Sequence, residues 1–335
     1  MIIRIAKTAV MVTIILILFV SYWLGLEFHS VTLISPENKY FEVKKGNTIN
    51  IIAQNLKKNG FIKKKYLLVL EYKLFFHSET IKAGKYAFSS PTSIRNILMT
   101  MIEGKVYFRP ITIPEGLTRK EIAQLLESKH SINKTEFLKA SSNTDLIKEL
   151  DKSAENLEGY LFPETYHFQK DVTAETIVSS MISQFKSIFN NNWKKRAEEI
   201  NMNIREVVIL ASIIEKETSL PQEKKIVSGV FHNRLKMNMK LDCDPTIIYI
   251  LKEQGVFKGD LRYKHMDINS PYNTYLYPGI PPGPICNPGK TSLEASLYPE
   301  DRGYLYFVSK NDGSHHFSRT FKEHQRAVRK YQTRK

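Results

Sequence analysis

Residues 204–218 read IREVVILASIIEKET, and where these side chains fall on a helical wheel decides how the rest of the chain is read. Ile204, Val207, Val208, Ile209, Leu210, Ala211, Ile213 and Ile214 leave almost no side of such a helix polar. A helix that is apolar all round is a buried one. Its C-terminal end carries Glu215 and Glu217. A carboxyl emerging from a buried helix is partly stripped of water, which disfavours its charged form and raises its pKa. That is the state a general acid needs near neutrality. Positions two apart lie about 200° apart around a helix, so the two acids cannot share one cleft. One is a candidate acid; the other should pair with a nearby Lys or Arg. The wheel does not say which, and a solvated helix end would show the same Glu-Lys-Glu spacing.

Downstream, Leu241-Asp242-Cys243-Asp244-Pro245-Thr246 marks a turn and helix start, with Asp244 placed to cap residues 246–251 or to bond sugar hydroxyls. Ser270 to Tyr275, with Tyr272, Asn273, Thr274 and Tyr275, offers an amide, hydroxyls and stacking rings in one loop. Residues 277–289, including Pro281, Gly283, Cys286 and Asn287, alternate Pro and Gly with apolar residues. Proline stiffens such a loop and glycine lets backbone approach a ligand, so a pocket wall is expected rather than a linker. Tyr304–Val308 reads as a buried strand, Asn311-Asp312-Gly313 as its turn, and His315-His316-Phe317 as the return strand. This hairpin would bring His315 beside the sheet.

Upstream, Glu158–Tyr166 (EGYLFPETY) packs three aromatics around one proline, suited to a sugar face or to a core. A polar surface connection is expected at about 143–156. Further back, FEVKKGNTINIIAQNLKKN, from Phe41, is echoed by ITIPEGLTRKEIAQLLESK, from Ile111. Gly116, Thr118, Ile122, Ala123, Gln124 and Leu126 repeat Gly46, Thr48, Ile52, Ala53, Gln54 and Leu56. Each copy predicts a strand, a glycine turn, a threonine N-cap and an amphipathic helix. The unit resembles half of a LysM-like carbohydrate-binding module; a structural spacer is the competing reading.

Ala9–Leu26 is an uncharged apolar run about long enough to span a bilayer as a helix. Arg4 and Lys7 precede it, whereas Glu27, Glu37 and Lys39 follow. That bias puts residues 1–8 in the cytoplasm and the body outside, with a cleaved signal peptide as the rival. The formal charge of +15 suits an anionic partner. An exported body argues against nucleic acid as that partner. Two cysteines in 335 residues exclude a disulfide scaffold or a Cys-rich zinc protein.

Taken in order, EGYLFPETY, ASIIEKET (211–218), DPT (244–246), YNTY (272–275), GIPPGPI (279–285), NPG (287–289), YLYFV (304–308) and the Gly313–Phe317 ending follow one anchor. In these the chain resembles the endolytic murein transglycosylases, the YceG-like family. The resemblance runs along almost the whole chain and is strongest from Glu158 to Phe317. It implies an α+β protein: a transmembrane helix at 9–26, a small LysM-like module at 40–105, and a catalytic domain at 106–335 that includes the second strand-turn-helix copy at 111–129. It also implies cleavage of the MurNAc-β-1,4-GlcNAc bond in nascent peptidoglycan, leaving 1,6-anhydromuramyl ends, without cofactor or metal. By the same resemblance Glu217 is the catalytic acid and base, and Thr218 follows it. Substrate contacts are expected from Asp244, Thr246, Tyr272, Asn273, Thr274, Tyr275, Pro281, Gly283, Asn287 and His315. Location at the inner membrane puts peptidoglycan strands, and the synthases that make them, within reach. Cys243 and Cys286 depart from the family pattern, and either a disulfide or two buried thiols would fit. Two rival functions stay open: a non-catalytic glycan-binding scaffold, and a muramidase that uses water.

Overall fold

The computed structural model describes residues 2–34, 39–169 and 172–332. Of the charges counted around the apolar run, Glu37 and the side chain of Arg4 lie outside that description. The chain divides into two compact units, Met1–Arg109 with His167–Asp171, and Pro110–Tyr166 with Val172–Lys335.

The first unit opens with α1 (Ile2–His29), whose stretch Lys7–His29 is long and apolar enough to cross a membrane. Then come β1 (Val31–Thr32), β2 (Tyr40–Val43), α2 (Ile49–Lys58), α3 (Lys65–Phe75), β3 (Gly84–Ala87), β4 (Thr92–Ser93) and α4 (Ile94–Glu103). β2 pairs antiparallel with β3, so two helices stand between two partnered strands, and β1 pairs antiparallel with β4. Gly46 takes the left-handed conformation (φ +86°) that the turn needs. The Thr48 hydroxyl then accepts from the Ile51 amide, and Ile52, Ala53 and Leu56 face inward. Phe41, Phe61, Leu67, Leu68, Tyr86, Ile97 and Leu98 complete this core. The end of α1 belongs to it: Phe28 is buried and Leu24 packs alongside.

In the second unit, β5 (Arg109–Thr112) begins the repeated strand, turn and helix. Gly116 is left-handed (φ +77°), Thr118 and Glu121 form a reciprocal capping box, and α5 (Arg119–His130) buries Ile122, Ala123 and Leu126. These are the positions equivalent to those buried in α2. After α6 (Lys134–Ala140), the connection at 143–156 runs along the surface as expected, with two of its residues turned inward. Ile147 and Asp151 are buried, and Asp151 accepts from Tyr160 Oη and Arg205 Nη1, both at 2.6 Å. A charged residue thus turns inward, where a phenol nine positions on and a guanidinium fifty-four positions on satisfy its carboxylate. Tyr160, Phe162 and Tyr166 of the aromatic segment are buried as core.

β6 (Thr165–Phe168), which shares a sheet with β5, leads to α7 (Ala174–Ile188), α8 (Asn191–Glu199) and α9 (Ile204–Glu217). Asn203 and Glu206 cap α9, and every residue from Val207 to Ile214 is buried. Around it stand α8, α10 (Pro221–Lys236), α11 (Asp244–Glu253) and α12 (Lys290–Leu297). Gly229 on α10 lets that helix press against Glu300, because a Cβ there would collide with the Glu300 carbonyl. β7 (Tyr306–Ser309) and β8 (His315–Ser318) form the antiparallel hairpin, half-buried and starting two residues later than Tyr304, and α13 (Phe321–Tyr331) ends the fold.

Candidate active site

The end of α9 sends its two acids apart, as the wheel requires. Thr218 turns extended, donates its hydroxyl to Glu223 Oε2 (3.4 Å) and accepts from the Leu220 amide (3.1 Å), which stops the helix before Pro221 starts α10. Glu215 faces inward. Its Oε1 meets Lys224 Nζ at 3.0 Å and its Oε2 accepts from the Gly289 amide at 2.9 Å. Lys224 is itself buried and also donates to Thr291 Oγ1 (2.9 Å). Both groups of this pair are out of water, so neither is free to handle a substrate proton.

Glu217 instead meets the start of α11. Its pKa is pushed up to about 8, first by loss of water around the carboxyl and then by the charge of Asp244, against a hydrogen bond from the Cys243 thiol and the charge of Arg234. The residue is half-buried, so the carboxyl sits at the edge of the domain interior, protonated at neutral pH.

A dense set of bonds fixes the chain opposite it. The Cys243 amide donates to Thr274 Oγ1 (2.9 Å), Thr246 Oγ1 donates to the Cys243 carbonyl (2.7 Å), and the two threonine hydroxyls meet at 3.0 Å. Asn273 Nδ2 donates to the carbonyls of Met266 and Ile268 (2.8 Å each), while its Oδ1 accepts from the Tyr275 amide (2.9 Å). Arg234 clamps the same loop, donating to the Lys240 and Leu241 carbonyls and to Asp242 Oδ2, all at 3.0 Å. Its Nε reaches the Leu305 carbonyl at 2.7 Å. Asp244 is exposed and accepts from Tyr275 Oη at 2.6 Å.

Several expected substrate contacts need correction on these grounds. Thr246, Asn273 and Thr274 are buried with their polar atoms engaged, so they position the loop and have no open face for a sugar. Asp244 is the first residue of α11 and Cys243 occupies the cap position without a side-chain bond, so Asp244 does not cap. Its carboxylate and the Tyr275 phenol remain reachable beside Glu217.

The Pro-Gly loop is held as firmly. Asn287 is fully buried; its Oδ1 accepts from the amides of Gly159 (2.9 Å) and Leu161 (3.0 Å). Its Nδ2 donates to the Leu117 carbonyl (2.9 Å) and to Glu158 Oε1 (2.8 Å). All four bonding positions of the amide are filled, which makes Asn287 a clasp between three segments, not a ligand contact. Pro281 is buried in the same wall, with no polar side-chain atom to offer. Gly283 is there because the Tyr272 hydroxyl lies 2.6 Å from where a Cβ would stand. Tyr272 tilts against Tyr249 at 5.1 Å and is half-buried, packed against the apolar clusters on either side of it.

Glu158 shows why a displaced pKa alone does not choose the acid. Burial pushes it, too, up to about 8. Yet both its oxygens accept from the Arg119 amide (2.9 and 3.0 Å) and one also from Asn287. It is sealed by loops, whereas Glu217 reaches an edge.

His315 stands on β8 with Nδ1 at 2.7 Å from Glu223 Oε2, while its amide donates to Glu223 Oε1 at 3.0 Å. Glu223 therefore links Thr218, next to Glu217, to His315. The sequence reading missed Glu223, Lys224, Arg234 and the thiol contact of Cys243. Their partners lie on other elements, and no local spacing marks them. Cys243 and Cys286 are separate, buried thiols, bonded to the Leu241 and Ser212 carbonyls, so the disulfide alternative is not realised. Among the described residues no group of three or more His, Cys, Asp or Glu is arranged to hold a metal ion.

A model of the YceG-like family matches residues 41–330. An endolytic murein transglycosylase of Bacillus subtilis (strain 168) is 33% identical over 307 residues, covering 86% of this chain and 83% of that one. One from Streptococcus pneumoniae (strain ATCC BAA-255 / R6) is 27% identical over 318 residues, with 85% of this chain and 57% of that longer protein covered. A crystal structure of a yceG-like protein from Listeria monocytogenes superposes with a TM-score of 0.59 at 32% identity, covering 86% of this chain and 97% of that one. With the match spanning both units, the chain belongs to the YceG-like family.

Proposed function

We propose that this protein cleaves peptidoglycan glycan strands as an endolytic lytic transglycosylase, with Glu217 as its acid and base. The observation that carries the reading is Glu217 itself: a carboxyl lifted to about 8, at the edge of the interior, beside reachable polar groups. Protonated at neutral pH, it donates to the glycosidic oxygen as the MurNAc–GlcNAc bond breaks. The resulting carboxylate takes the proton of the muramyl C6 hydroxyl, whose oxygen bonds to the anomeric carbon. The 1,6-anhydro ring closes and Glu217 regains its proton, so no water is consumed. Asp244, Tyr275, Tyr272 and His315 are the residues proposed to meet the strand. Thr246, Asn273, Thr274, Pro281, Gly283 and Asn287 hold the walls.

One observation favours a second reading. Asp244 lies close enough for its charge to raise Glu217, and a second carboxylate could activate water in a muramidase. Against this, Tyr275 already occupies one of its oxygens. Mass spectrometry of the ends released from purified glycan strands separates the cases. Anhydromuramyl ends support transglycosylation, reducing ends support the muramidase, and uncut strands support a scaffold.

We further propose α1 as a retained anchor with the body on the outer side. The β2-α2-α3-β3 unit is proposed as a LysM-like module, supported by its strand, helix, helix, strand order. Residues 40–105 and 106–335 remain the proposed division into module and catalytic domain.

A further inference from the structure

The first unit is far more basic than the chain as a whole. Between residues 39 and 109 there are fourteen Lys and Arg against four Glu and no Asp, which is ten of the fifteen net positive charges. Two of these lysines, Lys63 and Lys64, stand where α1 leaves its apolar run. α1 does not end in a loose tether, since Leu24 and Phe28 pack into the core against α3 and α4.

A cavity of about 530 Å³ opens there, lined among others by Trp23, Leu26, Glu27, Ser30, Lys63 and Lys64. Lys64 Nζ bonds Glu27 at 2.8 Å and lies 5.9 Å from the centre of the Trp23 ring. Lys63 is exposed at the rim, and among the described residues no carboxylate comes within ion-pair distance of it. Val31, in the lining, is 60% exposed, and two apolar side chains next along the chain from lining residues are exposed as well, Leu33 (80%) after Thr32 and Tyr66 (56%) before Leu67.

A basic mouth, an interfacial tryptophan and exposed apolar side chains at the end of a spanning helix match the headgroup layer of an anionic bilayer. We propose that this cavity seats the phosphate of an anionic phospholipid, held by Lys63 and Lys64, with Val31, Leu33 and Tyr66 entering the interface around it. The first unit then lies on the bilayer. A soluble acidic wall polymer would satisfy the lysines but leave Leu33 and Val31 in water, so lipid is the better partner. This inference rests on the anchor reading of α1.

The test is native mass spectrometry of the full chain in detergent, with phosphatidylglycerol or phosphatidylcholine added. Wild type should retain phosphatidylglycerol about tenfold better. Lys63→Gln should weaken that preference, and Lys63→Gln with Lys64→Gln should abolish it. Lys44→Gln with Lys45→Gln, on the β2–α2 turn, should leave it intact. Equal retention of the two lipids overturns the proposal, as does equal damage from the two double variants, which would mean diffuse charge. Competition by inorganic phosphate or by a soluble polyanion would also overturn it. Carbonate extraction from vesicles separates the two ideas: a chain that washes out defeats the anchor, while one that stays without headgroup preference defeats only the cavity.

Discussion

Replacing Glu217 with Gln should abolish cleavage and stabilise the protein at the same time. The folded carboxyl titrates at about 8 against an ordinary value of 4.5. A group whose folded pKa is raised favours the folded state at low pH, and that contribution is lost as pH climbs from 4.5 through 8. At pH 7 the difference amounts to about 3 kcal/mol from these two values. Solvent reaching the half-buried side chain reduces this to about 1.5–3 kcal/mol. Gln keeps the shape and never ionises, so it escapes the loss. At roughly 2 °C per kcal/mol for a chain of this size, the variant should melt about 3–6 °C above wild type at pH 7. Near pH 4.5 the two should melt almost together. Anhydromuramyl ends should fall by at least about 100-fold, the scale of a lost general acid. Melting curves across pH 4.5–9, paired with product mass spectrometry, decide it. A variant with the same melting offset at every pH, or one that still yields anhydro ends, would refute the reasoning.

Glu215→Gln should act in the opposite sense: it takes from buried Lys224 its carboxylate at 3.0 Å, leaving Thr291 Oγ1 and Glu115 at 4.0 Å, costs about 1–3 kcal/mol, and leaves turnover in the folded fraction, as denaturant titration with a product assay would reveal. Asn287→Ala should destabilise by at least about 2 kcal/mol, since it leaves the Gly159 and Leu161 amides without their acceptor; a melting temperature within a degree of wild type would contradict the clasp. Asp244→Asn removes one of the causes that raise Glu217, so the alkaline limb of the pH–rate profile should move to lower pH. An unmoved limb would separate Asp244 from the reaction.

How far the sequence could be read depended on how far apart the interacting residues lie. Gly46-x-Thr48 and Gly116-x-Thr118 each specify a turn and cap within a few residues, and both formed as expected. The buried α9 and the divergence of its two acids also follow from one short segment. Which acid is paired required Lys224 on the next helix and Gly289 on a loop seventy-four residues away. Glu158 and Asn287 are 129 positions apart, and nothing local in either motif announces the other. Polar residues in the DPT, YNTY and NPG motifs looked like ligand contacts because composition cannot distinguish a hydroxyl turned outward from one closing a buried bond. The 143–156 connection lies at the surface as its polar sequence suggests, but nothing in that stretch announces that Asp151 turns inward to Tyr160 and Arg205.

Phe28 gives the N-terminal helix a second duty. Its ring is 3% exposed and touches Phe75 edge-on at 6.2 Å, so the last turn of that helix is masonry in the neighbouring fold. Trimming the chain just beyond residue 29 to obtain a water-soluble form would pull out this stone and leave a hole worth about 3–5 kcal/mol. A shortened protein should therefore keep residues 24–29, and a protease that removed the helix would loosen the unit behind it.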